Sequence, residues 1–373
     1  MPDAVVVGGG IAGVSVAYEL AAHRTVTLLE AEPVAGMHST ARSAATWIPG
    51  HGVAELRPFV TASGARFARL AEELTTPLLL IPRTALFVAI DDAGERALAE
   101  HRTQRAGEPG AGEIVDGAAA ERLCPVLVPG IARTASLVHG ADVDTDALHQ
   151  GYLRGLRARG GSVRVGAPVE RIERVGSGWR LHVGGRAGCV IDTAVVVDAA
   201  GAWADVVARR AGVAELGLVP YRRTIAVVRV PDPARLRVPG GGKLPFVIDP
   251  ADRFYFKSDG DDLLCSPADE TPTEPADARP DPLDVALALE RVAEVTRLGL
   301  RSVRTSWAGL RSFVTDRRPV VGEWPEAPGF AFVAAQGGSG IETAPALSAY
   351  AAAVLTGAAP PADTPQDPAL LSP

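Results

Sequence analysis

Gly8, Gly10 and Gly13 form a G-x-G-x-x-G series directly behind the β-branched run Val5-Val-Val7 and ahead of an apolar stretch over Val14–Ala22. That spacing suits phosphate chemistry. Gly8 allows a tight turn, Gly10 lets a pyrophosphate approach the backbone, and Gly13 lets a helix pack closely on a strand. The first amides of the helix then point at the phosphate, and the helix dipole favours its charge. A second apolar run, Thr25–Leu29, ends at Glu30. A carboxylate at that position accepts from both ribose hydroxyls of an adenosine and repels a 2′-phosphate. Strand, helix and terminal acid together predict dinucleotide binding rather than a bare structural turn.

Other reactive groups carry less. Asp259-Gly-Asp-Asp262 has the composition of a calcium loop but reads as a hairpin turn. His139 and His149 flank an acidic run without metal-ligand spacing, so no metal site is expected. Lys257 lies two residues beyond Tyr255, on the same face of a strand, and reads as a surface lysine rather than one that tunes oxygen reactivity.

The elements that must position these residues follow from periodicity. Helices are predicted over 56–74, 92–106, 117–123, 145–160, 283–297 and 343–355. Strand patterns cover 78–90 (broken by Pro82), 162–165, the hairpin 169–175 with 179–183, then 224–230, 246–248, 254–257, 263–265, 300–307 and 330–335. The continuously apolar run 190–197 reads as one buried parallel strand leading into Asp198-Ala-Ala-Gly-Ala-Trp203. Residues 266–284, dense in Pro, Asp, Glu and Thr, read as an exposed loop. The chain opens and closes with strand–Gly-turn–helix units around an antiparallel block. The expected fold is therefore an α/β, Rossmann-like lobe with an inserted antiparallel β-rich lobe. The first lobe is assigned 1–84, 140–216 and 305–373, and the second 85–139 and 217–304.

Bulk composition narrows the partners. The 373 residues are 47% hydrophobic, enough for two packed lobes. A net charge of −7 argues against nucleic acid. Every basic residue except Lys243 and Lys257 is arginine, so a surface arginine carries little functional weight. Cys124, Cys189 and Cys265 are too dispersed for a zinc site or a disulfide framework. No signal peptide or membrane-length apolar run is visible, and a cytoplasmic protein is the expectation.

The motifs Gly8–Gly13 with Glu30, His38-Ser-Thr-Ala-Arg-Ser-Ala-Ala45, Asp142–Gly155, Ala199-Ala-Gly-Ala-Trp203, Trp307–Phe313 and Ala334–Ile341 span almost the whole chain. In them it resembles the D-amino-acid-oxidase-like superfamily of FAD-dependent oxidoreductases, in a pattern nearest bacterial D-arginine dehydrogenase and glycine oxidase. The resemblance implies an FAD-binding lobe and a substrate lobe, with FAD held by Gly8, Gly10, Ile11, Ala12, Gly13, Glu30 and Ala31 at one end. Ser39, Thr40, Arg42, Ser43 and Ala45 would lie along the ribityl chain and the isoalloxazine. Val169 would lend backbone contacts to the adenine, and Ala200, Gly201 and Trp203 would lie close to the cofactor. Gly337, Gly338, Gly340, Ile341 and Glu342 would face the flavin pyrimidine, where a helix N-terminus stabilises negative charge.

The same resemblance implies catalytic roles for Arg311, Tyr255 and Arg223 in gripping a substrate carboxylate, a task suited to arginine's planar fork. Arg222 and Arg223 are neighbours, so only one can face a pocket. Thr46, Trp47, Ile48, His51, Ala85 and Gly338 would line the substrate. Ala85 stands where D-arginine dehydrogenase has the acid for a guanidinium, which disfavours D-arginine. No cysteine follows Arg311, so the flavin is expected to be non-covalent. The implied reaction oxidises an amino acid C–N bond, in a D-amino acid or an N-substituted glycine, with oxygen or a quinone as electron acceptor. Two rivals remain: a nicotinamide dehydrogenase with the same opening fingerprint, and a non-catalytic FAD-keeping subunit.

Overall fold

The computed structural model describes residues 1–186, 188–238 and 240–373. Three sheets organise them. The first has six strands in the order 320–323, 330–334, 195–198, 4–7, 26–29, 162–164, parallel except for the first strand. Ala4–Val7 lies at its centre with every residue buried, which its continuous apolar character requires. On one face the helix Ile11–Leu20, apolar nearly all round, packs between the sheet and the helices Thr145–Ala158 and Gly340–Thr356. On the other face sits a three-stranded antiparallel sheet of 169–175, 178–183 and 189–193.

The third sheet has ten strands and is almost wholly antiparallel. Only Phe246–Ile248 runs parallel, beside Ala85–Phe87. Its core lies against the helix Pro282–Val295. The chain thus has an α/β lobe and a β-rich lobe, as its strand–helix alternation implies.

Three local expectations are corrected. The apolar run 190–197 is two strands: Cys189–Thr193 joins the small antiparallel sheet and Val195–Asp198 the parallel one. Pro82 does not break its strand, because Leu80–Ala89 gains a second neighbour only from Ala85 onward, so the missing N–H falls on an open edge. The segment 266–284 is an exposed loop over most of its length, but Ser266–Ala268 is buried, Thr271–Pro272 pairs with the edge of strand Val219–Arg229, and the helix already begins at Pro282.

Asp198 ends the central strand Val195–Asp198, fully buried. One oxygen accepts from the Ala200 amide at 3.0 Å and the other has no partner among the described residues. Burial pushes its carboxyl well above the usual range. A carboxyl whose folded pKa is raised penalises folding increasingly as pH climbs above the unfolded pKa. Asp198→Asn keeps the Ala200 contact without that penalty. Its Tm advantage over wild type should therefore be larger at pH 8 than at pH 4, and a pH-independent difference would refute the assignment.

Candidate active site

A cleft of about 300 Å³ runs between the lobes, from Ala167, Val169 and Arg210 to Arg223, Tyr255 and Arg311. Its near end is the glycine turn. Gly8 adopts φ +111°, and a Cβ there would sit 2.4 Å from the Ala199 carbonyl oxygen. The amide of Gly9 donates to Glu30 Oε2 at 2.7 Å, and the amide of Glu32 donates to Oε1 at 2.8 Å. Glu30 therefore both lines the cleft and shapes the turn. Gly13 does not line it; a Cβ there would lie 1.8 Å from the Gly8 oxygen, so its role is the close packing of helix on strand. His149 is buried beneath the turn and neutral, since burial lowers its pKa, and Nε2 donates to the Gly9 carbonyl at 2.8 Å.

The middle of the cleft is Ser39–Ser43. Thr40 Oγ1 accepts from the Ile11 amide at 2.9 Å, and Ser39 donates to the Leu310 carbonyl at 2.7 Å. Arg42 donates to the Ala308 and Ala278 carbonyls and pairs with Asp277. Thus the polar segment 277–278 straps the Arg42 loop to the long strand Ser302–Phe313. Ile11, Ala12, Ala31, Ala200, Gly201, Trp203, Gly337, Gly338, Gly340 and Ile341 also line the cleft.

The far end is built by strand register. Val219–Arg229 and Ser302–Phe313 pair antiparallel, with Tyr221 opposite Arg311 and Arg223 opposite Gly309. Directly opposed residues share a face, and so do alternate ones, so Arg223 and Arg311 point the same way. Arg222 points away, to Asp284 at 2.7 Å. Arg223 is buried and donates to the Asp269 carbonyl at 2.7 Å, with Glu270 at 3.4 Å. Arg311 has no ion-pair partner among the described residues; burial and neighbouring Arg223 push its guanidinium down from its ordinary value. Gly338 makes room for it, since a Cβ there would lie 3.0 Å from Arg311 Cζ. The Tyr255 hydroxyl is buried without a partner among the described residues, its ring edge-on to Phe246.

Arg223, Tyr255, Arg311 and Gly338 also line a second cavity of about 90 Å³, with Ala45, Thr46, Ile48, His51, Phe246, Ile248, Asp252 and Glu342 among its other walls. Several expectations shift here. Ala45 and Glu342 face this cavity rather than the cleft. Glu342 accepts from His51 Nδ1 at 2.5 Å and from the Ile48 amide at 3.2 Å. Trp47 turns away to donate to the Val60 carbonyl at 2.7 Å, its ring against Gly64, while Ala85 lies in the packing behind Ile48 and Phe246. Lys257 is not at the surface: it is buried, donating to Asp142 at 2.8 Å and to the Ala44 carbonyl, with Arg83 on the other Asp142 oxygen.

Asp252 was invisible in the sequence. It adopts φ +60° in a turn whose Asp249 bonds Arg253, itself paired with Asp91. Its only sequence signal was the turn composition Pro250-Ala-Asp252. It adds an acidic residue to the cavity lining beyond those named from the sequence.

The cleft fits FAD. It offers a glycine turn with no room for a Cβ at Gly8 or Gly9, a terminal acid at Glu30, two helix N-termini, and buried polar atoms at Tyr255 and Gln336 that have no partner among the described residues. Among the described residues no cysteine lines it, and Cys124 and Cys265 are buried, with thiols pushed up to about 12. No metal-binding cluster and no membrane-length apolar helix occurs among them. If Glu30 also holds the ribose, Glu30→Ala should weaken FAD binding by about 1–3 kcal/mol, the scale of losing charged-acceptor bonds. Unchanged affinity by titration of the apoprotein would remove Glu30 from that role.

The family model described as FAD dependent oxidoreductase (DAO) matches residues 3–354. A bovine (Bos taurus) protein, FAD-dependent oxidoreductase domain-containing protein 1, is 28% identical over 187 residues, 45% of this chain; the match spans only 37% of that relative's length. L-proline dehydrogenase from P. horikoshii superposes with a TM-score of 0.85 at 19% identity, covering 99% of this chain and 96% of its own. Glycine oxidase from Geobacillus kaustophilus does so with a TM-score of 0.83 at 23% identity, covering 100% and 98%. At those identities the two structures speak to the fold.

Proposed function

The chain belongs to the DAO family of FAD-dependent oxidoreductases, and from that premise we propose that it oxidises the C–N bond of a small amino acid to an imine, which water hydrolyses to an oxo acid and an amine. One observation carries this reading: at the junction of the cleft and the small cavity, Arg311 stands without a carboxylate partner, beside Arg223 and the unpartnered Tyr255 hydroxyl. Two guanidiniums and a phenol call for an anion, and a planar carboxylate matches the arginine fork.

Bound FAD would supply the two-electron oxidation. The protein's residues do the positioning. Arg311 and Arg223 grip the carboxylate, and Tyr255 donates to it. That grip sets the angle of the α C–H toward the cleft. Ile48, Phe246 and Ile248 supply the cavity's apolar walls.

The substrate is a D-amino acid or an N-substituted glycine. The cavity's small size favours a glycine-sized head, and with it a glycine-oxidase-like alternative that removes an N-carboxymethyl group from a larger amino acid. The fold neighbours named for L-proline and glycine extend the test beyond D-amino acids. Anaerobic flavin bleaching would be followed with D-alanine, D-leucine, D-arginine, L-proline, glycine, sarcosine and a longer N-alkylglycine. Oxygen uptake against quinone reduction then identifies the acceptor. Reduction by at least one carboxylate-bearing amine is expected. A flavin that none bleaches favours the non-catalytic subunit, and a protein without the flavin bands near about 370 and 450 nm favours the nicotinamide reading.

The absence of a lining cysteine predicts non-covalent attachment. Acid precipitation should release the yellow colour to the supernatant; colour that stays with the pellet contradicts it.

A further inference from the structure

We propose that His51 and Glu342 form a proton-accepting dyad in the small cavity: His51 takes a proton from the substrate's ammonium nitrogen, and Glu342 orients and stabilises the imidazolium that results. This rests on the reading of the cavity as an amino acid site.

The geometry is that of a base held by a carboxylate. Glu342 is the third residue of the closing helix Gly340–Thr356 and only 4% exposed. One of its oxygens accepts from His51 Nδ1 and the other from the Ile48 amide, which ties the His51 loop to the helix. With Nδ1–H committed to Glu342, the neutral ring has its lone pair on Nε2. Among the described residues no protein group bonds Nε2, and the side chain, which lines the cavity, is 43% exposed. Gly50 and Gly52, both at positive φ, shape the loop, and Arg105 clamps the Gly50 carbonyl at 2.6 Å.

The charged and polar neighbours act in both directions. Glu342 raises the His51 pKa, and burial, Arg311 and Arg105 oppose it, with the net direction upward. Ser339 Oγ lies 3.4 Å from Nδ1, and His101 packs within the same field. Arg223, Tyr255 and Asp252 share the cavity wall.

An amine is oxidised through a nitrogen bearing its lone pair, so an ammonium substrate must first lose a proton. In the step, the substrate N–H bond breaks, its electron pair stays on nitrogen, and an Nε2–H bond forms. The positive charge moves from the substrate to the ring, which Glu342 faces. The step requires no oxidant.

The test compares wild type, Glu342→Gln and His51→Asn as holoenzymes. The measurements are the pH dependence of kcat/KM, single-turnover flavin reduction, and the His51 pKa from ¹⁵N NMR. In wild type the rising limb of kcat/KM should coincide with the NMR pKa of His51. Because a neutral Gln no longer favours the imidazolium, Glu342→Gln should move both to lower pH together, by about one unit. His51→Asn should slow flavin reduction near neutral pH by about 10²–10⁴-fold, with KM changed far less. A limb that stays in place while the NMR pKa moves overturns the dyad, as does a wild-type rate in His51→Asn. A wild-type flavin that no amino acid reduces overturns the functional reading itself, a distinct result from a reducible enzyme with an unmoved limb.

Discussion

Alanine in place of Arg311 is expected to lower kcat/KM for a carboxylate-bearing amine by roughly 30- to 5000-fold, corresponding to about 2–5 kcal/mol for truncating one partner of a buried charge pair. The size follows from where Arg311 sits. It lines both the cleft and the small cavity, it has no carboxylate partner among the described residues, and Arg223 beside it adds like charge. A bound carboxylate thus offsets two neighbouring positive charges. Arg311→Lys keeps the charge but loses the planar fork, so most of the loss should remain. Arg223→Ala should also be damaging, though Arg223 already shares its donors with Asp269 and Glu270. Arg222 is the control. It is not free at the surface, as it pairs with Asp284, but its side chain lies on the opposite face of the strand. Arg222→Ala should cost no more than about 1 kcal/mol of stability and leave kcat/KM close to wild type. FAD content should be normal in all four variants. Near-wild-type kcat/KM in Arg311→Ala would make an amine lacking a carboxylate the better substrate class.

Valine in place of Gly13 should be felt in the fold before it is felt in chemistry. A Cβ at Gly13 would stand 1.8 Å from the Gly8 oxygen, a backbone atom that cannot rotate away. The helix Ile11–Leu20 must then lift from the strand Ala4–Val7, and the core shared with Thr145–Ala158 and Gly340–Thr356 opens with it. The expected loss is about 3 kcal/mol or more, at the upper end of overpacking effects. It would be read as a lower Tm and as poor FAD retention on gel filtration. Gly10→Ala is the comparison. The nearest atom to its added Cβ is Thr40 Oγ1 at 3.4 Å, ordinary contact, so its fold should hold while cofactor affinity falls. Equal Tm values for Gly13→Val and wild type would contradict the packing role.

Sequence alone was enough for whatever depends on neighbours along the chain. The opening strand–turn–helix, the acid at Glu30, the β-rich block and the opposed faces of Arg222 and Arg223 all follow from periods of 2 and 3.6 and from glycine's freedom of φ. These are local rules, and the motifs obeying them are contiguous. Register and long-range packing were beyond its reach. The pairing of Tyr221 with Arg311 and of Arg223 with Gly309 brings two arginines 88 positions apart to one face, and no local pattern encodes that register. The same applies to Asp252 on the cavity wall, Lys257 drawn inward to Asp142, Trp47 turned to Val60, and Glu342 reaching His51 across 291 positions. Each is a polar or bulky group whose direction is set by which buried partner satisfies it, and that partner comes from a distant strand or helix. The motifs therefore carry the family's cofactor chemistry, while tertiary packing decides which groups line the candidate site and how they are held.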